Sequence, residues 1–238
     1  MEDKQKIFEK QIADAIIDRP KGFKIGRRQF YLYPVTLGKA YLTQRVLSLL
    51  SIDTDNMKLQ PFLEALRVVS EHREDVALLL AYYSLHTKKE LLSYFVVTAR
   101  KNFFAKELDD SDMASLLVFA MTWDNTSAIM HYFKIDKEQE RLSKTLKAKD
   151  TRNTFSFGAK TIYGSIIDAA CERYHWTFDY VVWEISYTNL RLMLADHTTS
   201  VYLSESEAKK AHVTDTRNMV DGNSKDAIMQ AIKGQNWQ

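Results

Sequence analysis

Glycine and proline are scarce in this sequence, with 7 and 3 among 238 residues. Parallel α/β folds spend glycine freely at turns and phosphate loops, so their rarity favours helices joined by short polar turns. A single cysteine, Cys171, leaves no partner for an internal disulfide, which fits a reducing compartment. Set in Ile166-Ile167-Asp168-Ala169-Ala170-Cys171, it reads as a small buried hydrophobe rather than a reactive thiol. No apolar run approaches the roughly 20 residues that span a bilayer, and Met1-Glu2-Asp3-Lys4 lacks the basic-then-apolar order of a signal peptide. The expectation is a cytoplasmic protein with no membrane partner. Charge of one sign is not in excess either. The 33 basic and 31 acidic residues leave a net charge of +2, too small a field to argue for a nucleic-acid partner.

Catalytic and metal-binding patterns are missing as well. Gly158-Ala159-Lys160-Thr161 resembles the end of a phosphate-binding loop, but it has no preceding strand, no earlier glycine and no glycine directly before the lysine. The histidines, at 72, 86, 131, 175, 197 and 212, never recur at the one-turn spacing that puts two imidazoles on one metal. Asp109, Asp110 and Asp112 lack the glycine and distant glutamate of a calcium loop, whereas carboxylates at a helix start have an ordinary electrostatic role. Arg27-Arg28 and the lysines after residue 134 could meet phosphate, but interleaved acids make a solvated face the better reading of the latter. No enzyme activity, cofactor or metal is expected.

What the sequence does hold is core-forming material. Hydrophobic residues make up 45% of it, enough for one large core or two smaller ones. Phe8, Ile12, Ala15 and Ile16 share one face of an opening helix, closed by Pro20-Lys21-Gly22. Two extended runs around Gly26-Arg27-Arg28 predict a β-hairpin near 23–35, with Phe30 and Leu32 on one side and Tyr31 and Tyr33 on the other. Thr36 can cap the next helix, and Pro61 suits the first turn of another. Thr87-Lys88-Lys89-Glu90 has the spacing of a capping box ahead of an apolar run to Val97. Asp109 and Asn125 or Thr126 mark further starts.

The fold expected is mainly α: a helical bundle with one short N-terminal β-hairpin and a C-terminal helical hairpin. Residues 1–133 form the helical body. Residues 134–153, rich in Lys, Glu and Arg, form a polar connector or solvent-facing helix. Residues 154–203 hold the helical hairpin, with helices over about 160–174 and 177–196, and 204–238 is a polar tail with one short helix near Ile228 and Ile232.

Aromatic residues crowd the stretch from Tyr174 to Leu194. On a continuous helix after Thr177, Tyr180, Trp183 and Tyr187 line one face while Val182, Ile185, Asn189 and Met193 line another. Burial of both faces in the chain's own core is one reading. The other is that the aromatic face docks a partner, because Tyr and Trp supply large area with few rotors to freeze. Tyr180, Trp183 and Tyr187, with Ile228 and Ile232 on the tail, are therefore the candidate partner-binding residues.

Two stretches carry a family resemblance. Gly158-Ala159-Lys160-Thr161-Ile162-Tyr163-Gly164-Ser165, then Tyr174-x-Trp176-Thr177-x-Asp179-Tyr180-Val181 and Leu192-Met193-Leu194-Ala195-Asp196, resemble the C-terminal region of tail assembly chaperone-like proteins of long-tailed phages. Phe23 to Leu32, followed by Pro34-Val35-Thr36-Leu37-Gly38-Lys39, resembles the short hairpin and first helix of such proteins. Together they cover about a third of the chain, and the connector and tail depart from the pattern. The resemblance implies a helical protein without enzymatic activity that holds the aggregation-prone tape-measure protein while tail-tube subunits polymerise around it. Its partners would be the tape-measure or tail-tube proteins or a second copy of itself, and its place the host cytoplasm or the virion. A structural subunit or adaptor of a phage-like particle is the alternative, and a helical nucleic-acid-binding protein a second.

Overall fold

A computed structural model describes residues 2–122, 125–149 and 158–211. The molecule is mainly α-helical, with one two-stranded antiparallel sheet among the described residues. It divides into two compact units, the first comprising 1–135 and 157–197, the second 136–156 and 198–238.

In the first unit, helix α1 (Glu2–Ile16) is followed by strands β1 (Lys21–Ile25) and β2 (Arg28–Leu32). The strands pair Ile25 with Arg28 across a two-residue loop, and Gly26 at its first position has φ +56°, as a II′ turn demands. Phe23 and Phe30 turn inward and stack at 5.7 Å, Leu32 is buried, and Tyr31 faces out, as alternation predicts. Helix α2 (Leu37–Leu47) starts at Thr36, whose hydroxyl accepts the Lys39 N–H. Helix α3 (Thr54–Leu59) leads to α4 (Pro61–Ser84), the centre of the core. Pro61 occupies the first turn of α4, and the helix kinks at His72, with φ −133° and ψ 37°. Glu64 of α4 is buried, yet its carboxylate accepts from Nε and Nη2 of Arg67 and from the Asp53 N–H. The Arg67 hydrogen bonds hold its pKa below the usual carboxylate range despite burial.

Val68, Val69, Val76, Leu79 and Leu80 of α4 pack against α6 (Tyr94–Glu107) and α7 (Asp110–Thr122) through Phe104, Met113, Ala114 and Leu117. Burying each large apolar side chain contributes about 1.5–3 kcal/mol. Arg73 locks the α6–α7 corner by donating to the Ala105 and Leu108 carbonyls and pairing with Asp110. The Thr87–Glu90 capping box forms, but the helix it opens, α5 (Lys88–Leu91), lasts four residues. Ser93 caps again, and α6 begins at Tyr94. Helix α8 (Thr126–Tyr132) follows α7. Ile12 is buried on α1, whereas Ile16, expected on the same inner face, is half exposed beyond the helix's last packed turn.

Residues 157–197 join this same unit rather than forming a separate hairpin beyond a connector. The helix expected over 160–174 starts as a π-helical turn, Tyr163–Ile167, and continues as α10 (Asp168–Tyr174) until His175 adopts φ +54°. The expected helix over 177–196 is two helices, α11 (Phe178–Trp183) and α12 (Tyr187–Ala195). The break has a local and a distant cause. Ser186 caps α12 by accepting the Asn189 N–H, and the Tyr187 N–H leaves the helical ladder to donate to the Val35 carbonyl at 2.7 Å, beside a Thr36–Ser186 bridge. Leu37, Ile167, Ala170, Val181, Val182, Ile185 and Leu190 form the core of this block.

In the second unit, the stretch expected as connector or solvent-facing helix is α9 (Ile135–Ala148), with Arg141–Glu138 and Lys144–Glu140 pairs along its exposed side. A further capping box, Ser204 with Glu207, opens α13 (Glu205–Lys210) in the expected tail. The short helix near Ile228 and Ile232 lies outside the described residues. Among the described residues no helix is long and apolar enough to cross a membrane.

Candidate protein-docking surface

Thr177 accepts the Tyr180 N–H and so fixes where α11 begins. Six residues are too few to bury a whole circumference, and the helix sorts its side chains accordingly. Val181 and Val182 are buried in the C-terminal core. Trp183 faces inward as well. Its ring lies against Gly38 so closely that a Cβ there would come within 2.5 Å of it, and it touches both the C-terminal core and the small cluster of Leu85, Leu91 and Val97. Lys88 lies 6.0 Å from the same ring and bonds Asp179 at 2.8 and 3.0 Å, so α11 is fixed to α2 and α5 along its inner side.

The outer side keeps its aromatic rings in solvent. Phe178 is 50% and Tyr180 40% exposed. The Phe178 ring lies parallel to that of Tyr163, and Tyr180 leans on Trp176, which in turn meets Tyr174 at 4.6 Å. Tyr174 donates its hydroxyl to the Met193 carbonyl, which ties this aromatic row to α12. Such a row presents broad, rigid area with few rotors left to freeze.

The three aromatic residues expected on one face are therefore separated. Tyr180 is exposed, Trp183 is packed inside, and Tyr187, beyond the helix break, is half buried with Arg191 over its ring. Tyr187 also lines a cleft of about 340 Å³ with Pro34, Val35, Gln44, Tyr83 and Asn125. Asp14 and Asp18 edge this cleft. Asp14 pairs with Lys21 and Arg19, and the Lys21 hydrogen bond holds its pKa down, while Asp18 accepts from Asn189. Ile228 and Ile232 lie outside the described residues. Cys171 is half buried against the C-terminal core, close to the small-hydrophobe reading.

Three features escaped the sequence reading. Tyr163 and Phe178 belong to the outer aromatic row, which periodicity on a single long helix could not reveal. Tyr94 and Phe95 are 85% and 81% exposed, because the second cap at Ser93 places them in a first turn that points outward; Ser93 itself was the available signal. Lys39 is fully buried, with Nζ 3.4 Å from the Pro34 carbonyl and 5.7 Å from the Tyr33 ring. Burial pushes its pKa down to about 7, against the pull of Glu90, and among the described residues it has no ion pair. Among the described residues no group of three or more His, Cys, Asp or Glu is arranged to hold a metal ion. Comparison with family models, with curated proteins and with solved structures gave no match.

Proposed function

We propose that this chain is a non-enzymatic protein-binding factor in the tail assembly of a long-tailed phage or prophage, holding the tape-measure protein or tail-tube subunits during morphogenesis. The observation that carries the binding part of this reading is the exposed aromatic row of Tyr163, on the π-helical turn, with Phe178 and Tyr180 of α11, a short helix held to α2 through Trp183 and to α5 through Asp179. Rigid aromatic rings in solvent cost little to order on association and are typical binding hot spots. The assembly part rests on the sequence resemblance, whose C-terminal stretches include Tyr163 and Tyr180 and leave the position of Phe178 unspecified.

The test is co-expression with a tape-measure protein or tail-tube subunit of a long-tailed phage, chosen from the same genome, followed by co-purification. The native chain should retain one of them, and the double variant Phe178→Ala, Tyr180→Ala should lose roughly 2 kcal/mol or more of binding while remaining folded. Unchanged retention by the variant, or no retention by the native chain, would overturn the reading. The chain's presence in purified particles would make it a structural part of the particle instead.

A further inference from the structure

Away from α11, strand β2 and helix α6 enclose an open groove of about 660 Å³, lined by Arg28 and Phe30 of the strand and by Phe95, Ala99, Arg100 and Phe103 of the helix. Its floor is aromatic and its charge is of one sign. The Arg28 guanidinium lies 5.1 Å from the Phe103 ring, and that of Arg100 lies 5.2 Å from Phe30. Arg100 is steadied by donating to the Ser84 hydroxyl at 3.0 Å. No carboxylate lines the groove, and neither arginine has an ion pair among the described residues. Glu90, the acid whose field reaches Arg100, already accepts from Thr87 and His86 in its capping box. Arg27 in the adjoining turn and Lys24 on β1 are exposed and likewise have no ion pair among the described residues. At the groove's edge Phe95 stands 81% exposed.

Unneutralised guanidiniums above phenyl rings complement a chain that supplies carboxylates together with an apolar side chain. A polyanion without such an anchor would leave the aromatic floor unused, and the near-neutral whole molecule gives it little long-range attraction. We propose that this groove docks an acidic peptide segment of a partner protein, with carboxylates on Arg28 and Arg100 and one large apolar side chain against Phe30, Phe95 and Phe103. The site is separate from the aromatic row of α11 and stands whether or not the partner belongs to a phage tail.

A short fluorescein-labelled peptide of glutamates around one central tryptophan, titrated with the full chain and followed by fluorescence anisotropy, tests the proposal. Binding should weaken about tenfold with Arg28→Glu and several-fold with Phe95→Ala, and should fall as salt rises. Arg28→Lys should also lose affinity, because a point charge replaces the planar fork. Arg45→Glu, an equal change of charge on the last turn of α2, should leave binding unaltered. Arg28 and Phe95 are exposed, so their variants should keep the native circular dichroism; if Arg28→Glu does not, Arg27→Glu in the exposed turn carries the same test. Three results would overturn the proposal. They are failure of the peptide to bind, an equal loss with Arg45→Glu, and tighter binding of single-stranded oligothymidylate that depends on the same two residues.

Discussion

The α4-centred core and the C-terminal block are both rich in aromatic rings, yet they use them in opposite ways. Around α4, Phe23, Phe30, Phe103 and Phe104 meet one another edge-on, tilted or stacked over the buried valines and leucines, and Phe104 has no exposed surface. In the C-terminal block one six-residue helix sends Trp183 inward and holds Phe178 and Tyr180 in solvent. Aromatic density therefore does not by itself say whether a segment is core or surface. The break between α11 and α12 decides it, by turning Trp183 and Tyr187 onto different surroundings.

Substitutions on the two sides of that helix sharpen the contrast. The largest effect should come from Trp183→Ala, which empties the space between two core clusters and should cost about 3–5 kcal/mol in chemical denaturation. A loss below about 1 kcal/mol would place the tryptophan functionally with the outer row.

Next comes Lys39, buried near the seam between the two regions. Its folded pKa, about 7, lies below the unfolded value of 10.5, so the folded state sheds a proton that the unfolded state keeps. Stability is therefore lowest below pH 7 and rises as pH climbs from 7 toward 10. Lys39→Met, which keeps the volume and removes the amine, should stabilise the protein by about 2–4 kcal/mol at pH 6, and by roughly 2–3 kcal/mol less at pH 9. The charge that reaches it is the carboxylate of Glu90 on α5. An advantage for Lys39→Met that stays constant with pH would mean that the buried amine keeps its proton throughout this range, its folded pKa lying close to the unfolded one.

A smaller effect should follow from Gly38→Ala. Alanine favours a helix, but its methyl would meet the Trp183 ring, and a net loss of about 1–3 kcal/mol is expected in thermal unfolding. The pair Gly38→Ala and Trp183→Phe should recover part of it. Smallest of all, Phe178→Ala and Tyr180→Ala should each change stability by about 1 kcal/mol or less, since about half of each residue is already in water.

Much of the first half was legible because its signals are local. The Gly26 turn, the Thr36 cap, Pro61 at a first turn and the Thr87–Glu90 box each act within a few residues, and each stands where the sequence put it. Alternation likewise sorted Leu32 from Tyr31. The C-terminal half was misread wherever a distant partner intervenes. Apolar periodicity runs unbroken from Thr177 to Asp196, and nothing near Glu184 announces that the Tyr187 N–H will be claimed by Val35. Of the candidate binding residues among those described, only Tyr180 is exposed, and Trp183 and Tyr187 are partly buried. Tyr94 and Phe95 are exposed for a similar reason: the caps Thr87 and Ser93 divide one apolar run into the four-residue α5 and the longer α6.

The contact of the Val35–Thr36 corner with Ser186 and Tyr187 also has a bearing on biosynthesis. Asn189 bonds the Ile16 carbonyl across 173 positions of sequence, so α1 meets α12 only after nearly all of the first unit has been made, while α2 packs early on α4 and waits only for α11. Until α11 leaves the ribosome, the Leu37–Gly38 surface that it covers stays bare. Long-range closure of this kind slows folding and prolongs the exposure of apolar surface, so the nascent chain should be most prone to aggregation, and most dependent on cellular chaperones, during the interval between synthesis of α2 and release of α12.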